Sequence, residues 1–144
     1  MTLAETEQFL HEQIPLSKAM GVKLESADAG GLILTAPLDV NHNHLGTAFG
    51  GSLGAVAVLA GYALLWRALN DRSAHIVVRS SKIEYRRPVR GEIRARCGFS
   101  RQTEFEAFKT GFLQKGKARI HLDVSIEEDG HVCVEFEGVY VAVR

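Results

Sequence analysis

The chain has 144 residues, 46% of them apolar, which is enough for one domain with a buried core and leaves no need for a second. Its 17 basic and 17 acidic residues cancel, so no overall field draws it to nucleic acid or to an anionic membrane surface. The 2 cysteines, Cys97 and Cys133, lie far apart and outside any metal-ligand spacing, and the N-terminal MTLAETEQ lacks the pattern of a signal peptide. A reduced, cytoplasmic protein with no metal and no cofactor is the expectation.

Thr2 and Glu5 stand in capping-box spacing, and Phe9, Leu10 and Ile14 can form one apolar stripe, so a short helix is expected to end before Pro15. Pro15 then opens a second short helix that Gly21 stops. From position 22 to 38, two extended segments flank Asp28-Ala29-Gly30-Gly31, a hairpin turn by composition.

Residues 41–69, NHNHLGTAFGGSLGAVAVLAGYALLWRAL, are the least polar part of the chain. From Val40 to Trp66 there is no acid or base apart from His42 and His44, so this stretch is expected to be buried. A polar, glycine-rich loop leads into a helix over residues 51–69, about 28 Å long at 1.5 Å per residue. Gly54, Ala55, Ala57, Ala60, Gly61 and Ala63 keep its sides slim, which lets a curved sheet wrap closely around it. A membrane span is the rival reading on length alone, but the glycines and Ser52 lower its hydrophobicity and no Lys/Arg cluster flanks it.

After the helix, residues 76–87 read as a long strand, with Ile83 and Tyr85 on a covered face and Lys82, Glu84 and Arg86 on the wet one. A second strand follows Gly91 with Ile93, Ala95, Cys97 and Phe99 inward, and the two are expected to pair as a hairpin. Thr103 and Glu106 suggest another capping box, and Phe105, Phe108 and Phe112 recur at helical spacing, with Gly116 closing the helix. Ile120, Leu122, Val124 and Ile126 alternate with polar residues, and Glu128-Asp129-Gly130 turns the chain into a last strand over residues 131–143. Six antiparallel strands around one long helix is an α+β architecture, and residues 1–144 form a single domain.

This order, with Asn43-x-x-Gly46-x-x-Phe49-Gly50-Gly51 before the helix and Tyr85-Arg86-Arg87-Pro88-Val89-x-Gly91 after the next strand, resembles the hotdog-fold thioesterases. Within them, Gly46-Thr47-Ala48-Phe49-Gly50-Gly51-Ser52-Leu53 and the Phe-rich helix look most like the YiiD-type thioesterase domain. The resemblance implies a six-stranded antiparallel sheet wrapped around the central helix. It also implies a homodimer or a tetramer, sites at the subunit interface, and acyl-CoA or acyl-carrier thioesters as ligands. Asn43 matches the asparagine that places water or substrate in the PaaI-like enzymes, and Gly51 N–H falls where an oxyanion donor belongs. Two positions depart from the pattern: Phe49 replaces the His of the related His-Gly-Gly motif, and Val58 stands where those enzymes carry a carboxylate.

Candidate catalytic residues are therefore Asn43, His44 and Gly51, with His42 a weaker candidate base than His44. Gly46, Thr47, Phe49, Gly50 and Ser52 would line the substrate, Ser52 being as well placed to cap the helix. Arg86, Arg87 and Arg90 could hold coenzyme A phosphates or form a solvated strand edge. The missing carboxylate leaves a non-catalytic acyl-thioester-binding domain as the alternative to hydrolysis. A dehydratase, which pairs a His with an acid, fits this helix least.

Overall fold

Thr2 caps the first helix as its spacing requires, accepting from Glu5 N–H at 3.1 Å while the Glu5 carboxylate accepts from Thr2 N–H at 2.7 Å. The computed structural model, which describes residues 1–144, continues from this helix, α1 (Leu3–Gln13), into α2 (Pro15–Ala19) and the hairpin β1 (Lys23–Asp28) and β2 (Gly31–Ala36). The long helix α3 (Gly50–Leu69) follows, then β3 (His75–Tyr85), β4 (Ile93–Cys97), α4 (Gln102–Lys115), β5 (Lys117–Glu128) and β6 (His131–Val143). The six strands form one antiparallel sheet in the order β1-β2-β4-β5-β6-β3.

The expected pairing of β3 with β4 is not what forms. β3 pairs with β6 through Tyr85↔Val134 to His75↔Val143, and β4 lies between β2 and β5. The connection between them holds Pro88 and no tight turn, and Val89 at its centre is buried, its carbonyl accepting from Ala48 N–H at 2.8 Å. That segment crosses to the far side of the β5–β6 hairpin instead of folding straight back. The capping box expected at Thr103 is also absent. The N-cap falls two residues earlier, at Arg101, with no side-chain cap, so α4 begins at Gln102 and Thr103 lies inside the first turn. Its aromatic stripe is as expected, with Phe105, Phe108 and Phe112 buried.

α3 runs along the concave face of the sheet. Val56, Ala57, Ala60, Ala63 and Leu65 have no exposed surface, and burying each aliphatic side chain of Val or Leu size stabilises by about 1.5–3 kcal/mol. The helix is long and apolar enough to span a membrane, yet 61% of its most apolar window is covered by the rest of the chain, as in a core helix. Asn70, in the left-handed region at φ 48°, ends it.

One contact sets how near helix and sheet approach. Tyr140, on the inner face of β6 and fully buried, donates its hydroxyl to the Val58 carbonyl at 2.9 Å. A Cβ on Gly61 would stand 2.3 Å from that hydroxyl oxygen. Gly61→Ala should therefore force the ring or the helix aside and destabilise the chain by about 1–3 kcal/mol, despite alanine's better helix propensity. Urea unfolding measures it, and a gain in stability would show that the helix does not need this approach.

Candidate functional site

The loop ahead of α3 is built by its own side chains. Asn43 Oδ1 accepts from Leu45 N–H at 2.9 Å and Thr47 N–H at 3.2 Å, while its Nδ2 donates to Thr47 Oγ1 at 2.9 Å. Gly46 turns the chain at φ 79°, a conformation other residues rarely adopt. Phe49 N–H donates to the Asn41 carbonyl at 2.7 Å, and Asn41, itself buried, donates to the Met20 and Pro37 carbonyls at 2.9 and 2.7 Å. These bonds fix where the helix begins.

Phe49 is the N-cap and supplies no side-chain cap. Leu53 N–H bonds the Phe49 carbonyl at 3.0 Å, so the N–H groups of Gly50, Gly51 and Ser52 have no partner in the helix. Ser52, expected as a cap, makes no such bond and sits inside the first turn. The exposed Phe49 ring folds back so that a Cβ on Gly51 would stand 2.5 Å from it. From β3, Tyr85 donates its hydroxyl to the Gly50 carbonyl at 3.2 Å, and a Cβ on Gly50 would lie 3.6 Å from its ring. Two rings thus flank the free, positively polarised N–H groups of this turn, the Phe49 ring lying over Gly51 where a Cβ would otherwise stand. The arrangement can bind an anionic or strongly dipolar oxygen and shield it from water.

The two histidines differ in their surroundings. His42 Nδ1 lies 2.9 Å from the Asn43 carbonyl, an acceptor only, which puts the proton on Nδ1 and leaves Nε2 able to accept one. His44 is exposed and makes no hydrogen bond within the chain. Of the arginines, Arg86 is engaged, bonding Glu135 at 2.7 Å and Glu84 at 2.9 Å, and its pairing with Glu135 raises its already high pKa. The Arg87 and Arg90 guanidinium groups carry no ion pair. Glu128 orders this segment by accepting from Arg90 N–H at 3.0 Å and Gly91 N–H at 2.9 Å.

No carboxylate projects from α3, and Val58 packs against the core. Cys97 is no nucleophile: it is buried, and burial pushes its thiol up to about 12. The donors that could gather round a metal ion, His121, Asp123 and Glu137, lie within 4.8 Å of one another but are all exposed. They project from β5 and β6 between residues whose side chains face α3, so they sit on the outer face of the sheet. Tyr85 was not singled out from sequence as a site residue, though it begins the Tyr-Arg-Arg-Pro-Val motif that follows β3.

Residues 3–144 match the family described as "Putative thioesterase (yiiD_Cterm)". The chain belongs to this family. Its fold is the hotdog fold, a six-stranded antiparallel sheet around a central helix. The yiiD-type chain is 37% identical to a Chlorobaculum tepidum protein of unknown function, over 98% of its own length and 93% of that chain, with a TM-score of 0.88. To a "putative thioesterase" from Shewanella oneidensis it is 30% identical, covering 99% and 97% of the two chains, with a TM-score of 0.86. A Pseudomonas aeruginosa "probable thioesterase" at 24% identity, covering 99% and 96%, shares the fold with a TM-score of 0.84.

Because Asn43 satisfies two backbone donors, Asn43→Ala should cost about 0.5–2 kcal/mol of stability, as loss of a helix cap does. Asn43→Asp keeps both acceptors and should cost less. Thermal and urea unfolding of the pair checks this; identical losses would mean that the side chain does not hold the loop through these bonds.

Proposed function

We propose that this chain hydrolyses acyl thioesters of coenzyme A or of an acyl carrier, using the first turn of α3 as its oxyanion site. The supporting observation is the uncapped turn itself: three free N–H groups at Gly50, Gly51 and Ser52, reached without obstruction by any Cβ at the two glycines. A thioester carbonyl oxygen accepting from Gly51 N–H becomes more electrophilic. Water adds to the carbonyl carbon and loses a proton, the oxyanion is held at the turn, and the C–S bond then breaks as the thiolate leaves and takes up a proton. His42 Nε2 and His44 are the bases this chain offers at that end of the helix.

The reading includes a homodimer through β3, which pairs with β6 on one side only and exposes Val77, Val78 and Tyr85. Its mass in solution tests that element. A partner protomer docked there would close the turn beneath Tyr85 and could bring a group of its own to the water. The protein is then a cytoplasmic enzyme that acts on a thioester of coenzyme A or of an acyl carrier and draws on no metal or cofactor.

The second reading, an acyl-thioester-binding domain without turnover, is favoured by one observation, the absence of any acid on α3. A general base contributes about 10² to 10⁴-fold, or roughly 3–5 kcal/mol of barrier, so hydrolysis that relies on an exposed imidazole should be slow. A panel of short, medium, long and aryl CoA thioesters decides between the two. Hydrolysis of at least one, reduced tenfold or more by His42→Ala or His44→Ala, supports the enzyme; binding with no turnover across the panel supports the binding domain.

Arg87 and Arg90 are the unpaired cations beside this site and are proposed to hold phosphate, whereas Arg86 is held by Glu135. Arg87→Ala and Arg90→Ala should each weaken coenzyme A binding more at low salt than at high salt, because ions screen exposed attraction. Arg86→Ala should change it least. Calorimetric titration at two salt concentrations checks the order, and equal affinity in all three variants would return these residues to a solvated edge.

A further inference from the structure

A cavity lies at the end of α3 opposite its first turn. Gly51 and Leu64 are separated by about 20 Å of helix at 1.5 Å per residue, and beyond Leu64 a cleft of about 380 Å³ opens between the β1–β2 turn and the start of α4. Leu32, Leu64, Ala68, Phe99 and Phe105 form its apolar walls, the two phenylalanine rings stacked at a tilt with centroids 4.5 Å apart. Into the same cleft comes one cation, Arg67.

The state of that cation is the informative feature. Every hydrogen bond Arg67 makes runs through Nη1: to Thr6 Oγ1 at 2.7 Å and to the Met1 and Thr2 carbonyls at 3.2 and 3.3 Å. One arm of the guanidinium is thereby clamped to the start of α1. The Nε–H and Nη2–H edge, which grips a carboxylate in parallel, makes no hydrogen bond in the chain. Arg67 is half-buried, and since no fully buried polar side-chain atom in the chain lacks a partner, that edge keeps some exposure to solvent. Asp28 also lines the cleft, but its Oδ1 accepts from Gly30 N–H at 2.7 Å and it forms no ion pair with Arg67.

We propose that this cleft is a second ligand site, one that takes a small monocarboxylate with an apolar or aryl body. The carboxylate meets the free edge of Arg67 and the body lies against Phe99, Phe105 and Leu64. A volume of about 380 Å³ is near the lower end for small-molecule sites, which suits a short-chain or single-ring acid and is too small to enclose a whole coenzyme A ester. Such acids are the class that thioester hydrolysis releases. Only that link to the product rests on the hydrolase reading; the cleft and its guanidinium stand without it.

The experiment titrates hexanoate and phenylacetate into the 144-residue protein, each beside its neutral amide, and follows backbone amide shifts by NMR. The acids should bind about tenfold more tightly than the amides, as expected when a charge-assisted hydrogen bond is added, with shifts at Phe99, Gln102 and Ala68. Arg67→Gln should remove the acid's advantage and leave amide binding unchanged. Because that variant also loosens α1, Ala68→Trp provides a second route, filling the cleft while keeping Arg67, and should abolish both. Asp28→Asn keeps the bond to Gly30 and should tighten the acids severalfold. Acid and amide binding alike, acid binding that survives Ala68→Trp, shifts confined to Gly50, Gly51 and Ser52, or no binding at millimolar acid would each overturn the proposal. Catalytic failure in the thioester panel would leave these outcomes untouched.

Discussion

The bond from the Tyr140 hydroxyl to the Val58 carbonyl is the constraint on which the remaining geometry depends. A tyrosine buried in an apolar layer must satisfy its hydroxyl, and the helix backbone offers an acceptor only if it comes close. Gly61 removes the side chain that would prevent this, and Ala57 and Ala60 keep the neighbouring turns slim. With α3 held at that depth, its first turn must emerge under the edge strand β3, where Tyr85 bonds the Gly50 carbonyl. Its last turns meet the β1–β2 hairpin and α4. This contact seats the middle of the helix, while the Asn41 and Asn43 bonds fix its start and Arg67 ties its end to α1.

Much of this was legible in the residues because it depends on local pattern. Alternation in β5 and the Asp-Gly after it mark the last hairpin, although β6 breaks the alternation at Cys133 and Val134, both buried, and the register shifts between Ile126 and Glu127. The uncharged run before Arg67 could only be interior. Pairing between β3 and β4 was misread because adjacency in sequence was taken for adjacency in the sheet. The strand β6 has two edges, and its 13-residue length lets β3 pair along one while β5 occupies the other. Thr103 looked like a cap by spacing, but Phe99 and Phe105 settle into the core together, which starts the helix at Gln102.

The candidate site was less legible, for a related reason. Backbone donors at Gly50 and Gly51 can be inferred from glycine before an apolar run, since their availability follows from helix geometry. Side-chain availability cannot, because it depends on partners distant in sequence. Arg86 looked equivalent to Arg87 and Arg90 until β6 placed Glu135 beside it. Asn43, read as a group facing substrate, spends both lone pairs of its oxygen on its own loop. Arg67 falls in the last turn of the helix read over residues 51–69, but nothing local in the sequence marks the bond of its one arm to Thr6 in α1.

The two ends of α3 thus pose opposite chemical problems. At its start, backbone N–H groups attract negative charge as it develops, and no carboxylate on α3 competes with that charge or draws a proton from water. The same absence that keeps the oxyanion site electropositive deprives it of a strong base. At the helix's far end the macrodipole is negative and disfavours an anion, so a bare cavity there would not select an acid. A fixed guanidinium reverses that local preference, and Nη1 anchoring to α1 lowers the side-chain entropy lost when its other edge engages a ligand. Selectivity for a carboxylate at that end is accordingly a property of Arg67 and its clamp, whereas selectivity for a polarised carbonyl at the other is a property of the backbone alone.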